Sequence, residues 1–501
     1  MSPTLRGLAL RTLLPAFPGT HPPAWALRLV EQGLGGFALF GYNIVDGAQV
    51  ASLTAALRSA RPDVIVATDE EGGDVTRLCY AHGSPYPGNA ALGVVDDVAL
   101  TERIYHAIGS ELASLGITLD MAPAVDVNTA DDNPAIGTRS FGADAVRVAA
   151  HAAAAVVGLQ SAGVAACAKH FPGHGATEMD SHHDLPVVDA PLDVLREREL
   201  PPFQAAIAAG VRAVMTAHIQ VPVLTGDEPA TFSSATLTAL LRGEMGFTGA
   251  VVSDALEMQG ASGPIGVPEA AVRALVAGND LLCFGGELPK SAGVEAVVEA
   301  TATAIVNAVW ERRLSAERLD AAAARNATLA GAAGIARGGG APDADLGLAA
   351  ARRALRIEGA LPDAMANALV VQLEPPATIA VGEVPWGLSP HVPGVETVRM
   401  LDASRGPAVA EAIVARAGAR PVVVVSRDTH RHQWARALVE RLSAEHPDVV
   451  LVEMGWPAAW RPYGARAYVA TYGAARANAR AAADLLLTPT VILDDFAPHR
   501  G

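Results

Sequence analysis

Lys169, His170, Asp180 and His182 crowd into one stretch, A-C-A-K-H-F-P-G-H-G-A-T-E-M-D-S-H-H-D-L-P, from Ala166 to Pro186. Asp180 and His182 are two residues apart, so in an extended segment both side chains point to the same side of the backbone. The carboxylate can then hydrogen-bond one ring nitrogen, orient the imidazole and favour its cationic form. Such a dyad can give a proton to a leaving group and later take one from an incoming nucleophile. Asp254 follows Val251, Val252 and Ser253 directly. A carboxylate held at a strand end and partly desolvated suits a nucleophile. Taken alone, an Asp there more often caps the next helix. Asp69, Arg77, Arg139, Lys169 and His170 add donors and acceptors able to grip several hydroxyls at once. Few aromatic residues accompany them, which fits a small polar ligand.

Positioning these groups requires a repeating strand, turn and helix. Short apolar runs read as strands at Gly36–Phe40, Val64–Thr68, Ile117–Met121, Val164–Ala168, Ala213–Thr216, Ala250–Ser253 and Asp280–Phe284, with Leu8–Leu13 a weak eighth. They lack strict alternation, as strands covered on both faces do. Alanine-rich helical stretches such as Ala48–Ser59, Val98–Leu115 and Ala145–Ala162 separate them. Asp69, Asp120, Lys169 with His170, His218 and Asp254 each follow or close a strand. An eight-stranded barrel gathers such groups at one mouth, where barrel enzymes work. A doubly wound open sheet, the rival architecture, would split them between two edges.

R-G-G-G-A-P-D-A-D over Arg337–Asp345 is a glycine- and proline-rich break. We therefore expect a TIM-like (β/α)8 barrel over 1–336, a linker over 337–345, and a smaller three-layer α/β sandwich domain over 346–501. Strands of the second domain are expected at Leu369–Leu373, Thr397–Leu401, Val422–Ser426, Val449–Glu453 and Ala467–Thr471. No glycine-rich nucleotide fingerprint follows them, so no cofactor is expected. The polar run Arg427, Asp428, His430 and His432 reads as a solvated loop.

Composition narrows the function classes. The 501 residues are 50% hydrophobic and 18% charged, enough for two large cores. A formal charge of −16 argues against nucleic acid or an anionic membrane as partner. The three cysteines, Cys79, Cys167 and Cys283, lie in separate apolar stretches and read as reduced packing residues of a cytoplasmic protein. Arg6 and Arg11 interrupt the first leucines, so no signal peptide is expected. No run approaches the about 20 apolar residues of a membrane span. A metal site built from His170, His174, His182, His183, His218 and Asp180 is conceivable, but no compact helical ligand spacing supports it, and none is expected.

These residues closely resemble the β-N-acetylglucosaminidase branch of glycoside hydrolase family 3. K-H-F-P-G-H-G at Lys169–Gly175 followed by D-S-H at Asp180–His182 is its most specific signature. D-E-E-G-G at Asp69–Gly73, N-P-A-I-G-T-R-S-F-G at Asn133–Gly142 and S-D-A-L-E-M at Ser253–Met258 appear in the same order. The resemblance implies a barrel, which some members extend with a C-terminal α/β sandwich. It implies that Asp254 is the nucleophile, His182 the general acid/base on a mobile loop, and Asp180 its partner. Asp69, Arg77, Arg139, Lys169 and His170 would hold N-acetylglucosamine, and peptidoglycan fragments in the cytoplasm would be the substrates. Some relatives are phosphorylases, so phosphate is the alternative acceptor. β-Glucosidase action and sugar binding without turnover are the remaining alternatives. Asp74 departs from the pattern, standing where the family often has Arg.

Overall fold

The computed structural model describes residues 4–177, 185–263, 265–286, 293–331, 342–401 and 407–487. They fall into two compact units. The first comprises Met1–Glu71, Val98–Ile136 and Gly142–Pro342; the second comprises Gly72–Asp97, Gly137–Phe141 and Asp343–Gly501. Each unit is therefore discontinuous in sequence.

The first unit is a (β/α)8 barrel. Its strands are β1 (Leu13–Pro15), β2 (Gly36–Leu39), β3 (Ile65–Thr68), β4 (Leu119–Asp120), β5 (Ala165–Phe171), β6 (Ala213–Thr216), β7 (Ala250–Ser253) and β8 (Leu281–Phe284). Pairing is parallel throughout, in the order β1-β8-β7-β6-β5-β4-β3-β2. The outer strands β1 and β2 lie against each other, so the sheet is nearly closed. Glycine makes that seam possible: a Cβ on Gly35 would stand 2.6 Å from the Arg11 carbonyl oxygen and 2.7 Å from that of Leu13. Alternate residues fill the barrel interior, among them Leu14, Ala38, Ala67, Ala165, Cys167, Ala213, Val252 and Cys283. Small side chains on facing strands leave room for Leu119, Met121 and Met215 in the same core.

Two strand expectations for this unit are corrected. Leu8–Leu13 is no strand: Leu5–Arg11 is a helix whose first turn is capped by Thr4, and β1 begins only at Leu13. The fifth strand runs past Ala168 to Phe171, so Lys169 and His170 lie within it instead of just after its end.

The second unit holds a six-stranded sheet in the order β11-β10-β12-β13-β14-β9. The strands are β9 (Arg356–Gly359), β10 (Leu369–Leu373), β11 (Thr397–Met400), β12 (Val422–Ser426), β13 (Val449–Glu453) and β14 (Ala467–Ala470). All pair in parallel except the edge strand β9, which is antiparallel to β14. Sequence reading missed β9 because R-I-E-G is exposed along its whole length and has no apolar run. The valine runs of β10, β12 and β13 are buried on both faces. Helices Ala344–Ala354 and Arg476–Leu487 cover one face; Pro407–Ala417 and Gln433–Glu445 cover the other. Asp343 caps the first of these through the Leu346 N–H, so the expected linker's last residues already start a helix.

The excursion after β3 is built into this second unit. Tyr86 Oη accepts the Asp343 N–H at 2.9 Å, Arg353 pairs with Asp97 at 2.9 Å, and Arg356 donates to the Val94 carbonyl at 2.9 Å. A Cβ on Gly347 would lie 1.9 Å from the Pro85 carbonyl oxygen.

Candidate active site

The carboxyl-terminal ends of the barrel strands carry the charged groups. Lys169 on β5 is 2% exposed, and its Nζ lies 2.6 Å from Asp69 Oδ1 and 2.8 Å from Glu71 Oε1. Asp69 and Glu71 follow β3, so this triad ties two strand ends together. A buried ammonium needs such carboxylates, because an unpaired charge at this depth is strongly disfavoured.

Asp254 leaves the end of β7. Its N–H donates to the Thr216 carbonyl of β6 at 3.2 Å, and its Oδ1 accepts the Ala255 N–H at 2.8 Å. It caps no helix: the residues after it form turns, and the next helix starts at Gly266. The competing role raised by the sequence therefore falls away. His218, two residues beyond β6, steadies the neighbouring backbone, with Nε2 3.0 Å from the Ala255 carbonyl oxygen and Nδ1 2.8 Å from Thr231 Oγ1. Since a carbonyl only accepts, Nε2 carries a proton.

Electrostatics reveal the convergence. Burial pushes the thiol of Cys167, deep in the barrel, well up; Asp69, Asp120 and Asp254 add to the rise and Lys169 opposes it. Cys283 is also pushed up, first by burial, then by Glu257, Asp69 and Asp254, again with Lys169 opposing. Asp69, Lys169 and Asp254 thus act on the same two interior thiols from three different strands. Asp120, fully buried at the end of β4, accepts the Glu70 N–H at 2.9 Å. Burial holds its carboxyl well above the usual carboxylate range.

His170 is fixed from behind. Its Nδ1 lies 2.8 Å from Asp126 Oδ2, while Asp126 Oδ1 accepts the backbone N–H groups of His170 at 3.2 Å and His174 at 2.7 Å. Burial alone would raise Asp126, but the charge and hydrogen bond of His170 and the His174 N–H hold it below the usual carboxylate range. The P-G-H-G turn that follows packs tightly. A Cβ on Gly175 would stand 2.0 Å from the Val127 carbonyl oxygen, and one on Gly173 (φ 126°) would stand 2.6 Å from Glu199 Oε2. Close backbone approach demands glycine at 175, and at 173 the positive φ demands it as well.

Asp180 and His182, and with them His183, lie outside the described residues. Both described flanks of that stretch sit at the carboxyl-terminal end of the barrel. On one side His174 is held by Asp126 and Thr177. On the other, Val187 pairs with Gln220, just beyond β6.

Residues 24–329, more than half of the chain, match the family model described as the glycosyl hydrolase family 3 N-terminal domain. The chain belongs to glycosyl hydrolase family 3. It is 35% identical over 332 residues to Beta-hexosaminidase A of Pseudoalteromonas piscicida, a match covering 62% of this chain and 55% of that protein. It is 40% identical over 260 residues to a Beta-hexosaminidase of Stenotrophomonas maltophilia, covering 51% of this chain and 77% of that one. The chain thus spans about half the length of the first relative and about three quarters of the second. The chain is similar to the structure of a glycoside hydrolase family 3 beta-N-acetylglucosaminidase from Paenibacillus sp. str. FPU-7, with a TM-score of 0.88 and 33% identity over 98% of this chain and 97% of that one.

Within this family 3 chain, the expected sugar-holding residues divide. Asp69, Lys169 and His170 belong to the barrel, whereas Arg77 and Arg139 belong to the second unit. Sequence reading placed His218 at the mouth but missed Glu71 and Asp126 as supporting groups. Asp126 had a usable signal: a lone acid in the apolar run A-P-A-V-D-V just after a strand. The expectation of a solvated loop at Arg427 is also corrected. Arg427 lies over the Trp386 ring at 5.3 Å and pairs with Asp74 at 3.4 Å. Asp428, in the left-handed region at φ 47°, donates its N–H to Glu453 at 2.7 Å and accepts the Trp456 N–H at 2.8 Å. The cysteines are free thiols, Cys167 and Cys283 buried and Cys79 half-buried, in keeping with packing roles.

Proposed function

We propose that the protein is a retaining, exo-acting β-N-acetylglucosaminidase that removes terminal β-linked N-acetylglucosamine, with peptidoglycan fragments in the cytoplasm as substrates. The observation that carries this reading is Asp254: a carboxylate at the end of β7, with no helix to cap, near the mouth that also holds Lys169 and Asp69. The names of the two hexosaminidase relatives and of the Paenibacillus glucosaminidase support the sugar. Free thiols support a reducing compartment. No described helix is long and apolar enough to cross a membrane.

In the first step the Asp254 carboxylate attacks the anomeric carbon as the glycosidic C–O bond breaks, and His182 protonates the departing oxygen. In the second, neutral His182 takes a proton from water while that water displaces the Asp254 ester, restoring both groups and the β configuration. Asp180 holds the His182 ring through both steps. Asp69, Lys169, His170, Arg77 and Arg139 bind the sugar hydroxyls and acetamido group. Because His182 becomes neutral when it gives up its proton, an anionic acceptor would not be repelled by it.

Product analysis by proton NMR on an aryl N-acetyl-β-glucosaminide, with and without inorganic phosphate, tests the reading. The expected first product is the β-anomer of free N-acetylglucosamine in both buffers. N-acetylglucosamine 1-phosphate as the main product would make the enzyme a phosphorylase, and the α-anomer first would exclude retention.

A further inference from the structure

Asp74 gathers three separate parts of the second unit at one buried carboxylate. Its Oδ2 accepts Thr138 Oγ1 at 2.8 Å and lies 3.4 Å from Arg427 Nη2; its Oδ1 accepts the Ala474 N–H at 2.7 Å. Arg77 comes three residues after Asp74, and its Nη2 donates to the Ala380 carbonyl at 2.9 Å. Arg139 directly follows Thr138, and its carbonyl accepts Asn89 Nδ2 at 2.7 Å. The loop after β12 that supplies Arg427 is itself anchored. Glu453 accepts the N–H groups of Asp428 at 2.7 Å and Thr429 at 3.0 Å, together with Thr429 Oγ1 at 2.6 Å. Trp386 lies beneath the guanidinium.

A buried carboxylate is a poor choice for stability alone, since an apolar residue of similar volume often serves as well. It is a good choice where hydrogen bonds must fix segments at a set spacing. We propose that Asp74 is a positioning residue for sugar binding, which locks the Arg77 and Arg139 segments to each other and to the Arg427 loop of the α/β sheet. Arg77 and Arg139 are then held in a preorganised form for the sugar, and Arg427 is needed for that although it touches no sugar. Preorganised donors bind more tightly because less ordering remains to be done when the ligand arrives. This inference rests on the glycosidase reading for the identity of the sugar.

The test compares Asp74→Asn, Arg427→Met, the double variant and a control, Arg420→Ala, which removes an ion pair with Glu396 elsewhere in the second unit. Kd for N-acetylglucosamine is read by calorimetry, and kcat and KM on the aryl glycoside, with far-UV circular dichroism checking folding. Each single variant should raise Kd and KM about tenfold, equivalent to about 1.4 kcal/mol, and leave kcat within about twofold. The double variant should be no worse than the poorer single one, because both act at one node. Unchanged Kd and KM, a fall in kcat alone, or an equal rise in the control would overturn the proposal. A wild-type protein that binds the sugar without turnover would sink the glycosidase reading and leave the Kd series to decide this one. A wild type that binds no sugar would overturn both.

Discussion

Lys169 Nζ on β5 and Asp69 Oδ1 after β3 lie 2.6 Å apart, across 100 residues of sequence. Glu71 Oε1 completes the group at 2.8 Å from the same ammonium. Two carboxylates here share one buried cation, so removing the cation takes a counter-charge from both. We predict that Lys169→Met destabilises the fold by about 3–5 kcal/mol and abolishes sugar binding. Adding Glu71→Gln should recover part of the stability and none of the binding. Urea denaturation midpoints read the first effect and calorimetry the second. A wild-type midpoint in Lys169→Met would mean that the triad is not ionised as drawn.

Asp254 is expected to be indispensable in a different way. It is half-buried at the end of β7 and its Oδ1 accepts the N–H of its own neighbour Ala255, so we expect truncation there to cost the fold little. Asp254→Ala should lower kcat by about 10⁴-fold or more, the scale seen when a covalent nucleophile is removed. Its denaturation midpoint should stay close to that of the wild type. Intact-protein mass spectrometry after quenching with a slow substrate should detect a glycosyl adduct on the wild type and none on the variant. Residual activity within tenfold of the wild type would remove Asp254 from the nucleophile's role.

How far the sequence reached depends on where each group's partners lie along the chain. β6, β7, β10, β12 and β13 have the limits expected, because a buried run bounded by polar or turn residues is a local signal. β1 was obscured by the apolar helix Leu5–Arg11 beside it, and β9 by its exposure at a sheet edge. Lys169 and Asp254 were legible since a charge directly after an apolar run stands out. The service of Asp126 to His170 spans 44 residues, and that of Asp74 to Arg427 spans 353. No spacing rule reaches that far. Arg427 looked solvated because only the fold brings Trp386 and Asp74 to it.

The acid role of His182 predicts a dependence on the leaving group. A good leaving group such as a nitrophenolate departs with little protonation, whereas a sugar alkoxide needs a full proton transfer. His182→Ala should therefore slow chitobiose hydrolysis by about 10²–10⁴-fold, the usual range for general acid catalysis, and slow nitrophenyl glycoside cleavage much less. Asp180→Asn should show the same pattern in weaker form, since it loosens the ring without removing it. Equal losses on both substrates would contradict the assignment.

Glu199 supplies a prediction in pH. It is 1% exposed, its Oε1 accepts Arg198 Nε at 2.6 Å, and its Oε2 faces Gly173. Burial pushes its carboxyl up to about 7, with the Arg198 charge and hydrogen bond opposing and Asp126 adding to the rise. In the unfolded chain this carboxyl ionises near its ordinary value of 4.5. Between those two values the folded protein holds more protons than the unfolded one, so Glu199 makes stability fall as pH rises through that window and level off above about 7. Glu199→Gln removes this titration while keeping the side chain's shape. The variant's stability relative to the wild type should therefore increase from about pH 4.5 to about pH 7 and stay constant beyond it. Urea midpoints of both proteins across this range read the difference directly. A gap that is flat, or that shrinks with rising pH, would show that the folded state keeps Glu199 ionised and paired with Arg198.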